Sequence, residues 1–163
     1  MGRLNSTKKA KVGAILLGIG LGGFADGIFL HQILQWHHML SSVMPPMDMP
    51  AMEINMRWDG YFHAFDWIVT VVGIFTLWNA GRHTEPLPQS SWFAGWLLFG
   101  WGIFNFVEGL VNHHLLGVHH VRYQGDVYGA DPVTAWGLGF VLIGGVGFMV
   151  GGWILAHYSK KNF

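Results

Sequence analysis

The sequence contains no cysteine and little charge: Lys, Arg, Asp and Glu make up 11% of its 163 residues, and acids and bases balance to a net charge of zero. Without thiols there are no disulfides, no thiolate-held iron–sulfur clusters and no cysteine nucleophile, so any metal must be held by His, carboxylate or Met. The neutral balance leaves no basic face for nucleic acid, and membrane topology accounts for the short Lys clusters at the two ends. Scarce charge beside 52% hydrophobic residues and a mean hydropathy of +0.36 excludes an ordinary water-soluble domain.

What the chain has instead is long apolar runs. A membrane-spanning helix takes about 20 mainly apolar residues, and four stretches qualify, at about 12–40, 58–80, 91–117 and 133–158. They predict an all-α integral membrane four-helix bundle, a single transmembrane domain over residues 1–163. The first run follows Lys8, Lys9 and Lys11 and resembles a signal peptide, but it continues past Asp26 without a small-residue cleavage site and reads as a retained helix. Arg3, Lys8, Lys9, Lys11, Arg82, Lys160 and Lys161 fall on one side of the spans, Arg57 and Arg122 on the other. The excess of positive charge predicts that both termini are cytoplasmic and that the loops Ser41–Arg57 and Val121–Pro132 face the periplasm or cell exterior. The short link Gly81–Ser90, with Pro86 and Pro88, then faces the cytoplasm.

The chain matches itself. Asp26-Gly27 through His31, Leu34, His37 and His38 recurs as Glu108-Gly109 through His113, Leu116, His119 and His120, at a constant offset of 82. A weaker echo relates Trp58-Asp59 to Trp136-Gly137. Each copy, about 12–80 and 91–158, holds two spans, an even number, so the bundle is expected to consist of two parallel two-helix repeats whose polar residues reach the same outer end.

Ionisable residues inside a span are costly and face the bundle interior, where they find partners. Asp59, His63 and Asp66 are spaced i, i+4, i+7 and share one helix face. On an ideal first helix, Asp26 and His37 lie on one stripe and His31, Gln35 and His38 on another about 140° round. Either both stripes border one core, or a π-bulge or unwinding near Gly27 swings Asp26 and His31 into line. The third run repeats the problem with Glu108 and His119 against His113 and His120, and adds Asn112 and His114.

Imidazole and carboxylate together suit copper, iron, zinc or manganese. The metal-ligand set is Asp26, His31, Asp59, His63, Asp66, Glu108, His113 and His114, with His37, His38, His119 and His120 as a second tier. These donors exceed the needs of one ion, which points to a binuclear centre or to one ion with an outer network of carboxylates. Above them a loop carries Met44, Met47, Met49 and Met52, and soft thioethers favour copper over iron or zinc.

Plainer readings stand beside these. The double histidines suit an interfacial position near helix ends, and Asp26, Asp59, Asp66 and Glu108 suit an intramembrane packing network. Trp36, Trp58, Trp67 and Trp92 read as an interfacial belt. The glycine runs read as close helix packing, which also offers faces for homo-oligomers. His83 and His157 look incidental.

The runs Asp26–Met39, Asp59-Gly60-Tyr61-Phe62-His63 and Phe104–Val121 resemble a family of small bacterial four-span membrane proteins defined as a domain of unknown function. The resemblance covers nearly the whole chain. It implies a bacterial inner-membrane protein, and the neighbourhood of respiratory-oxidase assembly genes in some members implies assembly proteins as partners. In that family the fourth helix carries an Asp where this chain has Gly137. More distantly, His114 with His119-His120 is similar to the histidine boxes of membrane di-iron desaturases and hydroxylases, which lie at the cytoplasmic face.

The sequence thus leads to a membrane metal-binding protein with a His and carboxylate centre at the outer face, holding redox-active copper or iron. As a metal-dependent oxidoreductase, it would hold its ions with Asp26, Asp59, His63, Glu108, His113 and His31 and keep a position open for oxygen or a lipophilic substrate. As a binding protein, it would take copper through the Met loop and deliver it for oxidase assembly. A bis-histidine haem on His31 and His113 is a further alternative, disfavoured by the surplus of carboxylates. Transport is least favoured, because Val12–Ala25, Ile68–Leu77 and Ala94–Ile103 carry almost no ionisable groups.

Overall fold

In a bilayer the backbone has no water to bond, so an apolar run satisfies its N–H and C=O groups internally, as helix. The computed structural model describes residues 2–82, 89–122 and 130–160, with side chains over 6–82, 89–122 and 135–159, and every regular element among them is helical. Helix α1 (Gly2–Ala25) runs on as a π-helix over Asp26–Ile33. Helix α2 spans Met49–Gly81. Helix α3 (Ser90–Glu108) runs on as a π-helix over Gly109–Leu115. The last span joins α4 (Ala130–Gly139), a π-helix over Phe140–Gly147 and α5 (Phe148–Lys160). Four stretches are long and apolar enough to cross a membrane: Ser6–Ile33, Met49–Gly81, Ser90–Leu115 and Ala135–Ser159. His83, Pro86 and Pro88 of the short link, most of the loop Val121–Pro132, and Lys161 lie outside the described residues.

The first and third helices stop earlier than their apolar runs suggest. Each ends in a widened turn, with Leu34 N–H donating to the Phe29 carbonyl and Trp36 N–H to that of Leu30, both at 2.8 Å. Leu116 donates to Val111 (2.8 Å) and Val118 to Asn112 (3.1 Å), the same bonds displaced by 82 residues. The chain then turns away through a left-handed residue, Gln35 (φ 49°) in one case and Gly117 (φ 59°) in the other. His37, His38, His119 and His120 therefore sit on loops beyond the helices, and the stripe expected to carry His37 beside Asp26 does not exist. The widened-turn alternative is the one found at Gly27. Helix α2 begins earlier than expected because Asp48 caps it, accepting from Ala51 N–H at 2.8 Å, and because Pro50 fits its first turn.

Glycines set the helix contacts. Going along α1, a Cβ on Gly13 would meet Leu77, on Gly20 Thr70, on Gly23 Asp66 and on Gly27 His63, so α2 runs antiparallel to α1. Going along α3, Gly95 meets Ala156, Gly102 meets Met149 and Gly109 meets Val141, again antiparallel. Between α1 and α3 the contacts are reciprocal: Gly18 lies on the Leu97 carbonyl and Gly100 on that of Ile15, while Gly22 lies on Trp101, so these two helices run parallel. Helices α1 and α3 form the centre, with α2 packed on α1, and the last span packed on α3. Ile68, Phe75 and Trp78 on α2, with Leu142, Ile143 and Trp153 on the last span, are exposed apolar side chains that face lipid.

Candidate metal centre

Burying a carboxylate or an imidazole is costly unless something satisfies it, and at the C-terminal end of the α1–α3 pair many are buried together. The π-helices explain how. On an α-helix residues five apart diverge, whereas a π turn brings i and i+5 together. His31 Nε2 thereby lies 3.3 Å from Asp26 Oδ2, and His113 Nε2 lies 3.1 Å from Glu108 Oε2.

The loops after the π-helices bring in two more imidazoles, crosswise. His37 Nδ1–H donates to the Val121 carbonyl at 2.7 Å, and His119 Nδ1–H donates to that of Met39 at 3.0 Å. Each bond reaches from one half of the chain into the other. His37 and His119 stack at 4.7 Å between ring centroids, 8° from parallel. His31 meets His37 edge-on at 4.4 Å, and His113 meets His119 at 4.8 Å. All four rings are at most 2% exposed. Phe62 covers His31 at 5.6 Å and Phe140 covers His113 at 5.2 Å.

Tautomers follow from the partners. A carbonyl only accepts, so Nδ1 of His37 and of His119 must carry hydrogen, and in neutral rings Nε2 is then a bare lone pair. Burial, then the nearby imidazoles of His31 and His119, hold His37 well below the usual imidazole range. Its Nε2 is buried with no hydrogen-bond partner among the described residues. His119 Nε2 faces Glu108 Oε1 at 2.8 Å. Two lone pairs cannot approach so closely unless a proton, carried by the ring or by the carboxyl group, or a metal ion lies between them.

His31 is fixed in the same way by Asp59, a fully enclosed carboxylate. Asp59 Oδ1 accepts from His31 Nδ1–H (3.0 Å) and from Met39 N–H (2.8 Å), and Oδ2 accepts from His38 Nδ1–H (2.7 Å). Asn55 pins the overlying loop, accepting from Leu40 N–H at 3.0 Å and donating to the Met44 carbonyl at 2.8 Å. Two groups of three donors, His31-His37-His119 and Glu108-His113-His119, each lie within 4.8 Å of one another and can hold a metal ion. They share His119, so one compact centre joins both halves.

Residues 13–159 match the family model described as "Predicted membrane protein (DUF2243)". The chain belongs to this family. No curated protein and no solved structure matches it.

In this DUF2243 protein the sequence-derived residues are not all in one place. Asp26, His31, Asp59, Glu108 and His113 gather at the centre with His37, His38 and His119. His37 and His119, the residues for which an interfacial position was the plainer reading, are among the most enclosed side chains. His63 and Asp66 lie further inward along α2, 4.0 Å apart, His63 against Gly27 and the buried Asp66 against Gly23. His114 is exposed, beside Gly137. His120 is part-exposed, held below its usual range by burial and by the imidazoles of His113, His119 and His114. Met47 and Met49 project outward, at least 70% exposed, while Met44 and Met52 are half-buried. His157, on the last span, donates to the Trp153 carbonyl at 2.8 Å. Sequence reasoning missed Asn55, the Met39 and Val121 carbonyls, and the covering rings of Phe62 and Phe140. The carbonyls did carry a signal, since each belongs to the second residue after the first histidine of its pair (His37 to Met39, His119 to Val121).

Proposed function

We propose that this protein is a membrane metalloprotein whose centre is formed by His31, His37, His113 and His119 with Glu108 and Asp26, and whose ion is copper or iron. One observation carries the reading: the buried imidazoles of His31, His37 and His119 commit Nδ1 to Asp59 or to a backbone carbonyl, which leaves Nε2 as the free ligand atom of His37 and sets that of His31 beside Asp26 and that of His119 beside Glu108. Metal-binding histidines are oriented in this way, the second ring nitrogen donating to a carbonyl or carboxylate. Nitrogen-rich donor sets suit copper, iron and zinc, and the carboxylates of Glu108 and Asp26 offset the charge of a divalent ion.

The plainer alternative, a packing network, would account for hydrogen-bonded acids, but here the buried Asp26 has His31 at 3.3 Å as its one close partner and the buried His37 Nε2 has none among the described residues. A bis-histidine haem fits less well, because the four rings touch one another and leave no slot for a porphyrin. By the distribution of basic residues the centre lies at the outer face, in a bacterial inner membrane, under a loop that carries Met47 and Met49. That loop supports a second reading, in which exposed thioethers collect copper for delivery to respiratory-oxidase assembly. In the enzymatic reading, the same centre is a metal-dependent oxidoreductase.

The test is elemental analysis with an absorption spectrum, on detergent-purified protein from cells supplied with copper, iron and zinc. The expected result is near-stoichiometric metal in the wild type and in His114→Ala, with loss of most of it in the double variant H37A/H119A. A metal-free wild type, or full retention in H37A/H119A, would remove the proposal.

A further inference from the structure

The opposite end of the bundle holds a second pocket, separate from the histidine-rich centre. It is a cavity of about 270 Å³ lined by Thr7, Lys8, Lys11, Trp92, Trp96, Ala156 and His157. Lys11 Nζ stands 3.6 Å above the Trp96 ring. Trp96 is 94% buried, and its indole N–H has no hydrogen-bond partner among the described residues. A buried donor of this kind is normally satisfied. His157 uses Nδ1 on Trp153, which leaves Nε2 as its other polar atom.

Among the described residues the charge here is one-sided. None of the lining residues is acidic, and the acidic side chains among the described residues (Asp26, Asp48, Glu53, Asp59, Asp66 and Glu108) all lie at or beyond the level of Gly23, toward the other end. Two ammonium groups, an indole N–H and an imidazole thus surround an opening whose inner walls are aromatic rings. That combination matches an amphiphile with an anionic head, and basic pockets between membrane helices take anionic headgroups.

We infer that this pocket binds the phosphate of an anionic phospholipid, with Lys8 and Lys11 on the phosphate, the Trp96 N–H donating to it, and Trp92 and Trp96 lining the start of the acyl chains. The site is distinct from the topological role of the lysines, because that role needs only charge near the membrane. Lys9 makes the comparison possible: it is exposed, sits between Lys8 and Lys11 in sequence, and does not line the cavity.

Native mass spectrometry of the full-length protein in detergent, titrated with phosphatidylglycerol, phosphatidylcholine or inorganic phosphate, tests the inference. The wild type should retain phosphatidylglycerol about tenfold or more over phosphatidylcholine, as expected for two lysines near one headgroup. K8Q/K11Q should lose that preference, W96F should weaken it, and K9Q should leave it unchanged. Equal retention of the two lipids would overturn the site. So would a K9Q loss as large as that of K8Q/K11Q, which would mean unspecific surface attraction, or displacement of the lipid by inorganic phosphate at equal concentration, which would mean a soluble-anion site.

Discussion

Asp59 shows how one side chain can position the imidazoles of a centre. Its two oxygens take hydrogens from His31, His38 and the Met39 backbone, and Met39 in turn supplies the carbonyl that orients His119. A single carboxylate therefore sets two imidazoles directly, those of His31 and His38, and a third through the loop. Replacing it by Ala would free the His31 ring and loosen the carbonyl under His119, and such outer partners are worth about 10–100-fold in metal affinity. D59A should therefore still insert in the membrane but release its ion to a competing chelator at a concentration lower by about that factor. Unchanged chelator resistance would mean that Asp59 serves the loop alone. The corresponding position on the last span is Gly137, beside His114, so the second half lacks this control and His114 faces outward.

At the scale of elements, the ends of the first and third helices decide where the histidines go. Both ends use a left-handed residue 82 positions apart, but only Gly117 is a residue that adopts φ near 59° without strain, whereas Gln35 carries a side chain at φ 49°. Left-handed backbone costs a residue with a Cβ roughly 1–2 kcal/mol. Gln35→Gly should accordingly raise the thermal midpoint in detergent, and Gly117→Val should lower it, each by about 1 kcal/mol in stability. Opposite shifts would mean that Gln35 is held by contacts that outweigh the strain. These ends also mark what the sequence could and could not reveal. Long apolar runs made the four spans legible, and the offset of 82 singled out Asp26, His31, Glu108 and His113 as equivalent pairs. The end of the first helix was less legible, because Gln35 is not a usual stop signal and apolar residues, Met39 and Leu40, recur beyond it. The closeness of His37 to His119 was not legible at all. It depends on each loop bonding to the other half of the chain, a contact that appears only once the two halves pack.

For the whole molecule, two seams, between the first and second spans and between the third and fourth, provide a comparison within one chain. Gly20, Gly23 and Gly27 of the first span receive Thr70, Asp66 and His63, while Gly102, Asn105 and Gly109 of the third receive Met149, Gly144 and Val141. From His63 to Val141 the offset is 78 residues and from Thr70 to Met149 it is 79, a difference of the one residue that a π turn adds, and a π-helix lies between Phe140 and Gly147. Equivalent backbones thus pack with polar residues on one side and largely apolar ones on the other, so packing alone does not require His63 and Asp66. Which side of the membrane this polar half serves depends on orientation, and the absence of cysteine makes orientation easy to measure. Met47 is 75% exposed beside the centre, and Lys9 is exposed at the opposite end. Single cysteines at these positions, M47C and K9C, would be the only thiols in their chains. In intact cells a membrane-impermeant maleimide able to cross the outer envelope should label M47C directly and K9C only after the membrane is opened. The converse pattern would place the histidines at the cytoplasmic face, and collection of copper from outside the cell would then be excluded, whereas a metal-dependent oxidoreductase would remain compatible with the same residues.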